Sequence, residues 1–171
     1  MACTTLTSIT KGCSNNQGGI TAVYINDVDN ISAVTASALT HKITGITGPT
    51  AGIKFTAFEF VRNVGSVTIE PTIDLVNGST YYEATMTLVF HRREASKSRA
   101  LQILGEGQRY LDIIFLDANG IYWFLDHAQL SGGAEETGTA RADGSKYTVT
   151  FVAQMDTRPY EVDSTIVPAL I

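Results

Sequence analysis

The sequence predicts a mainly β protein: two packed antiparallel sheets forming a sandwich or barrel, with one flanking α-helix, in a single domain over residues 1–171. Three observations carry this. Long runs alternate apolar and polar side chains with period two, Asn-Gly turns separate such runs, and one stretch alone is rich in helix formers and free of Gly and Pro.

Taken in order, residues 19–28 and 31–35 read as strands separated by Asp29-Asn30. Residues 40–54 (THKITGITGPTAGIK) hold three glycines and a proline between apolar residues, which predicts a long, exposed, flexible excursion. In residues 66–75, Val67, Ile69, Ile73 and Leu75 alternate with Ser66, Thr68, Glu70, Thr72 and Asp74. Pro71 makes this an edge, bent or bulged strand, because proline cannot donate to a ladder. Asn77-Gly78 predicts a hairpin into residues 80–90, where Tyr82, Ala84, Met86, Leu88 and Phe90 share one face.

Residues 92–104 (RREASKSRALQIL) predict the helix. Ala100, Leu101 and Leu104 form a narrow apolar stripe, Gly105 and Gly107 end it, and Arg92, Arg93, Lys97 and Arg99 give a basic face. Strands at 110–116 and 121–125 flank the turn Asp117-Ala118-Asn119-Gly120. Residues 145–155 place Tyr147, Val149, Phe151, Ala153 and Met155 on one face.

Composition narrows the function classes. The formal net charge is -5, with 12 Lys and Arg against 17 Asp and Glu, which argues against sequence-general nucleic-acid binding. Only Lys11, Asp27, Asp29 and Lys42 are charged in residues 1–53, an undercharged third suited to burial against other protein. No apolar run is long enough to span a membrane, and the N-terminus lacks the basic start and apolar core of a secretory signal. Cys3 and Cys13 have neither zinc nor thioredoxin-like spacing, and a disulfide and two free thiols both remain open.

Catalytic patterns are absent. His41, His91 and His127 have no metal-ligand spacing. His127 follows Asp126 directly, and adjacent strand residues point to opposite faces, so the two are not expected to meet. No nucleophile elbow or phosphate loop is present. We expect no enzyme, no cofactor and no bound metal.

The second half, from YYEATMTLVFHR through DANGIYWFLDHAQLSGG to TGTARADGSKYTVTFVAQ, resembles tail tube proteins of long-tailed bacteriophages, in particular those of phages infecting Bacteroidetes. The N-terminal ACTTLTSITKGCSNNQGGITAVYI is similar to the start of such chains. The resemblance implies a structural virion protein forming rings, hexameric in the family, that stack into a conduit for double-stranded DNA. The implied partners are further copies, other tail proteins and DNA in passage, without sequence-specific binding and without a membrane. The implied location is the virion tail, after assembly in the host cytoplasm.

The resemblance also assigns roles along the chain. Residues 40–54 fall at the ring-stacking loop, with Ile43, Ile46, Pro49 and Ile53 as contacts. The helix bearing Arg92, Arg93, Lys97 and Arg99 falls at the intersubunit side. Residues 1–19 and 156–171 fall where arms bridge subunits. Thr68, Glu70, Thr72, Asp74, Glu83 and Thr85 are the lumen-facing candidates. Tail hubs, terminators and adaptors share the fold and remain open. So does a β-sandwich module binding carbohydrate or a host surface through Tyr81, Tyr122 and Tyr160.

Overall fold

The computed structural model describes residues 7–48, 52 and 54–171. Among them the elements are β1 (Ile20–Asp27), β2 (Ala33–Ser37), β3 (Lys42–Thr47), β4 (Thr56–Ala57), β5 (Ser66–Asp74), β6 (Ser79–His91), α1 (Ala95–Gly105), β7 (Leu111–Asp117), β8 (Tyr122–Glu136), β9 (Lys146–Met155), β10 (Tyr160–Val162) and α2 (Val167–Leu170).

The strands form two sheets that share β8. The larger runs β2-β3-β10-β8-β7-β1-β4 and the smaller β5-β6-β9-β8. All pairs are antiparallel except β10 with β3. The start of β8 pairs with β7, and residues 129–136 pair with β9. One 15-residue strand therefore turns the corner between sheets.

The period-two pattern of β6 and β9 becomes the main core. Ala84, Met86, Leu88 and Phe90 of β6, with Tyr147, Val149, Phe151, Ala153 and Met155 of β9, pack on Val23, Ile25, Leu111, Ile113, Phe115 and Leu125 of the larger sheet. Helix α1 adds Leu101 and Leu104 to this core. The helix carries no side-chain cap of its own. Instead the Glu94 backbone N–H donates to the Tyr147 hydroxyl at 3.1 Å, and Ser98 Oγ lies 2.6 Å from the same hydroxyl. A buried aromatic of β9 thereby satisfies an orphan donor of the helix start.

A second core covers the opposite face of the larger sheet. Ile114 and Phe124 pack there on Ile43, Ile46, Phe55, Val162, Val167 and Leu170. Strand β7, buried on both faces, accordingly reads LDIIFLD, a near-continuous apolar run.

The second core corrects several expectations. Residues 40–54 are not a flexible excursion throughout: residues 42–47 are β3, and Ile43 is 1% and Ile46 8% exposed. Their side chains fill this chain's own core and are not free to stack on a neighbour. Pro49 and Ile53 lie outside the described residues. Residues 156–171 likewise do not form a free arm, since β10 pairs with β8 and β3, and Val167 and Leu170 are buried. Beyond Pro71, β5 continues as an edge strand on β6, but Ile73 and Leu75 are 60% and 90% exposed because the hairpin extends past the core.

Candidate functional site

The outward face of the smaller sheet is the broadest functional candidate. Cross-strand register aligns Thr68 with Thr85, Glu70 with Glu83, and Thr72 with Tyr81. It extends the first two rows to Val152 and Gln154 on β9, and pairs Thr87 with Thr150 and Val89 with Thr148 on the same face. Thr68, Glu70, Thr72, Glu83 and Thr85 thus share one face, opposite the core. Asp74 instead closes the hairpin turn: its carboxylate accepts from the Asn77 side chain and from the Asn77 and Val76 backbone N–H groups, which hold its pKa below the usual range. Among the described residues, the lysine or arginine that register places on this face is Lys146, at its rim, and it is paired with Glu136 at 3.1 Å.

The sheet also has open edges. Among the described residues, strand β5 pairs with β6 alone, and residues 129–136 of β8 pair with β9 alone. The tip of the β5–β6 hairpin presents Leu75 and Val76, 90% and 92% exposed, and the β2–β3 turn presents Leu39 at 98%. Residues 7–19 are exposed along their length, anchored where the Gln17 N–H donates to Asn119 Oδ1 at 2.8 Å. Cys13 is exposed in this segment.

The basic group divides. Arg92 and Arg93 precede α1, and Arg92 has a φ of 61°, outside helical geometry. Arg93 pairs with Glu135 at 2.7 Å, and Lys97 donates to the carbonyls of His91 and Arg92. Arg99 is exposed on the helix. The basic helix face is therefore reduced to Lys97 and Arg99, and Lys97 already caps the chain entering the helix. Of the three tyrosines suited to glycan stacking, Tyr122 and Tyr160 pack on the second core and Tyr160 stacks on His41, leaving Tyr81 exposed.

A chemical cluster appears where the sequence predicts none. Between the pairs Leu111–Ala128 and Ile113–Leu125, the two residues Asp126 and His127 oppose the single residue Asp112. This is a β-bulge, and His127 has a φ of 51° there. The extra residue cancels strand alternation, so Asp126 and His127 meet, with His127 Nδ1 on Asp126 Oδ1. The His127 backbone N–H donates to Asp112 Oδ1 at 3.0 Å.

Asp112 is 2% exposed. Burial pushes its carboxyl up to about 6, opposed by the His127 N–H and reinforced by the charge of Asp126. The three side chains border a cleft of about 470 Å³, also lined by Ile43, Phe124 and Arg158. The available signal in the sequence was the carboxylate inside the apolar run of β7; the bulge that completes the cluster left none.

No known protein-family model matches the chain, and no curated protein matches it. No helix among the described residues is long and apolar enough to cross a membrane.

Proposed function

We propose that this chain is a tail tube subunit of a long-tailed bacteriophage, a structural virion protein that closes into rings, six-membered as its resemblance implies, and stacks them into a conduit for double-stranded DNA. The observation that supports this most directly is the outward face of the smaller sheet, rich in threonine with Glu70 and Glu83 at its centre. A wall of this kind gives passing phosphates little to bind, because retained Lys and Arg contacts would add a salt-dependent hold. The two open edges, β5 on one side and residues 129–136 on the other, suit head-to-tail pairing between copies. Such heterologous contacts close into a ring when the rotation permits, and closure removes exposed edges.

Stacking in this proposal falls to the apolar hairpin tip at Leu75 and Val76 rather than to the buried Ile43 and Ile46. The partners are further copies and other tail proteins, and no cofactor is required.

Negative-stain microscopy of the concentrated, purified chain tests the proposal. Rings that lengthen into tubes are expected. A monodisperse monomer at high concentration overturns it, and rings of one size that never lengthen assign the chain to a hub, terminator or adaptor.

A further inference from the structure

We propose that Asp112, Asp126 and His127 bind a divalent first-row transition-metal ion such as zinc at the corner where β8 leaves one sheet for the other. The inference is independent of the tube proposal. One ligand atom from each side chain lies within 4.8 Å of the other two, so small rotations bring them to the roughly 2.0–2.2 Å that Zn–N and Zn–O bonds require.

A separate observation says what is missing there. Asp112 is 2% exposed and borders the cleft, yet among the described residues no Lys or Arg lies within 4 Å of its carboxylate. Its Oδ1 accepts the His127 N–H, and its carboxyl faces that of Asp126. A buried carboxylate with no Lys or Arg partner is costly, and a neighbouring carboxylate makes it more so, with the His127 ring as its one nearby cationic counterpart among the described residues. Arg158, the cation lining the same cleft, has its guanidinium over the Tyr82 ring at 5.1 Å.

The donor chemistry selects the ion. Two carboxylate oxygens and one imidazole nitrogen suit Zn, Co, Ni or Mn, whereas Ca prefers six to eight oxygen ligands and Mg an octahedral shell of oxygens, largely water, with no use for the imidazole. Three protein ligands leave at least one coordination position facing the cleft for water. The competing explanation is a single proton held between the Asp112 and Asp126 carboxyls.

The two are separated with the full chain, stripped with chelator and titrated calorimetrically with zinc, cobalt and manganese chlorides, with magnesium and calcium as controls. Saturable zinc and cobalt binding, a raised melting temperature and visible cobalt absorption bands are expected. Asp126→Asn and His127→Gln are informative because both side chains are about half exposed and their loss leaves the core intact. Each should retain the wild-type circular dichroism and weaken binding by at least about 100-fold, since losing even a supporting partner of a metal ligand costs about 10–100-fold. No saturable binding at millimolar ion, or binding unchanged in both variants, overturns the site in favour of the shared proton. Magnesium or calcium binding as tightly as zinc overturns the choice of ion.

Discussion

Glu70 and Glu83 stand directly opposite each other across the β5–β6 pair, two like charges at one register position. Gln154 of β9 donates to Glu83 Oε2 at 3.1 Å and offsets part of the repulsion. Opposed like charges destabilise an antiparallel pair. Glu70→Gln should therefore stabilise the isolated chain by roughly 0.2–1 kcal/mol. The gain should shrink as salt screens the pair. Urea melts at low and high ionic strength measure it, and a destabilised variant would contradict the pairing. In an assembled tube the same row would place an acidic belt on the wall, so the repulsion has a use in the proposed function.

Asp112 gives the folded chain a pH dependence with a definite sign. Its folded pKa, about 6, lies above its ordinary value, so the folded state binds the proton more tightly than the unfolded state. Its contribution is favourable at low pH and is lost as pH rises through about 6. Asp112→Asn keeps an acceptor for the His127 N–H and removes the charge facing Asp126 and His127. In metal-free buffer it should stabilise the chain at pH 8 by on the order of 2–3 kcal/mol, with the gap closing near pH 4. Thermal melts across pH check this, and an offset independent of pH would place the cause elsewhere.

Legibility in the sequence followed the regularity of the strands. β6 and β9 were readable because alternate residues face one buried layer without interruption. β3 was not. A register shift pairs Thr35 with Gly45 and Ala36 with Ile43, leaving Thr44 extra, so the buried Ile43 and Ile46 fall three apart and break period two. With its glycines the segment resembled a loop. The bulge at Asp126 and His127 hid the carboxylate cluster in the same way. The polar face bearing Thr68, Glu70, Glu83 and Thr85 was legible because β5 and β6 stay in register along that whole stretch.

Two adjacent glycines of β8 should respond oppositely to alanine. A Cβ at Gly133 would lie 2.7 Å from the Thr148 carbonyl oxygen, backbone that cannot rotate away. Gly133→Ala should cost about 1–3 kcal/mol. A Cβ at Gly132 meets nothing within 4 Å, and Gly132→Ala should stabilise by roughly 0.4–1 kcal/mol through the unfolded chain. Equal urea midpoints for the two variants would refute this geometry.

The Tyr147 hydroxyl links β9 to the start of α1 through Ser98 and the Glu94 N–H. Tyr147→Phe preserves the ring in the core and leaves those groups without their partner, at a cost of about 1–3 kcal/mol. Ser98→Ala in the Tyr147→Phe background should add little, because both changes remove one interaction. Additive losses in that double-mutant cycle would mean the two side chains act separately.

The hairpin tip and β3 can be tested against each other as the stacking element. If residues 40–54 were an exposed excursion throughout, deleting residues 45–52 would spare the fold and abolish stacking. That deletion removes the end of β3 and the buried Ile46, so the expected outcome is now a loss of cooperative unfolding in circular dichroism. The tip behaves differently. Leu75 and Val76 are almost fully exposed, and the turn is held from beneath by Asp74 through the Val76 and Asn77 N–H groups. Replacing both with serine touches no core contact and should change stability by no more than about 0.5 kcal/mol per residue. If these side chains seat one ring on the next, the doubly substituted chain keeps its melting temperature and its rings but no longer forms tubes in negative stain. Tubes of wild-type length from that variant would remove the hairpin tip from the stacking interface.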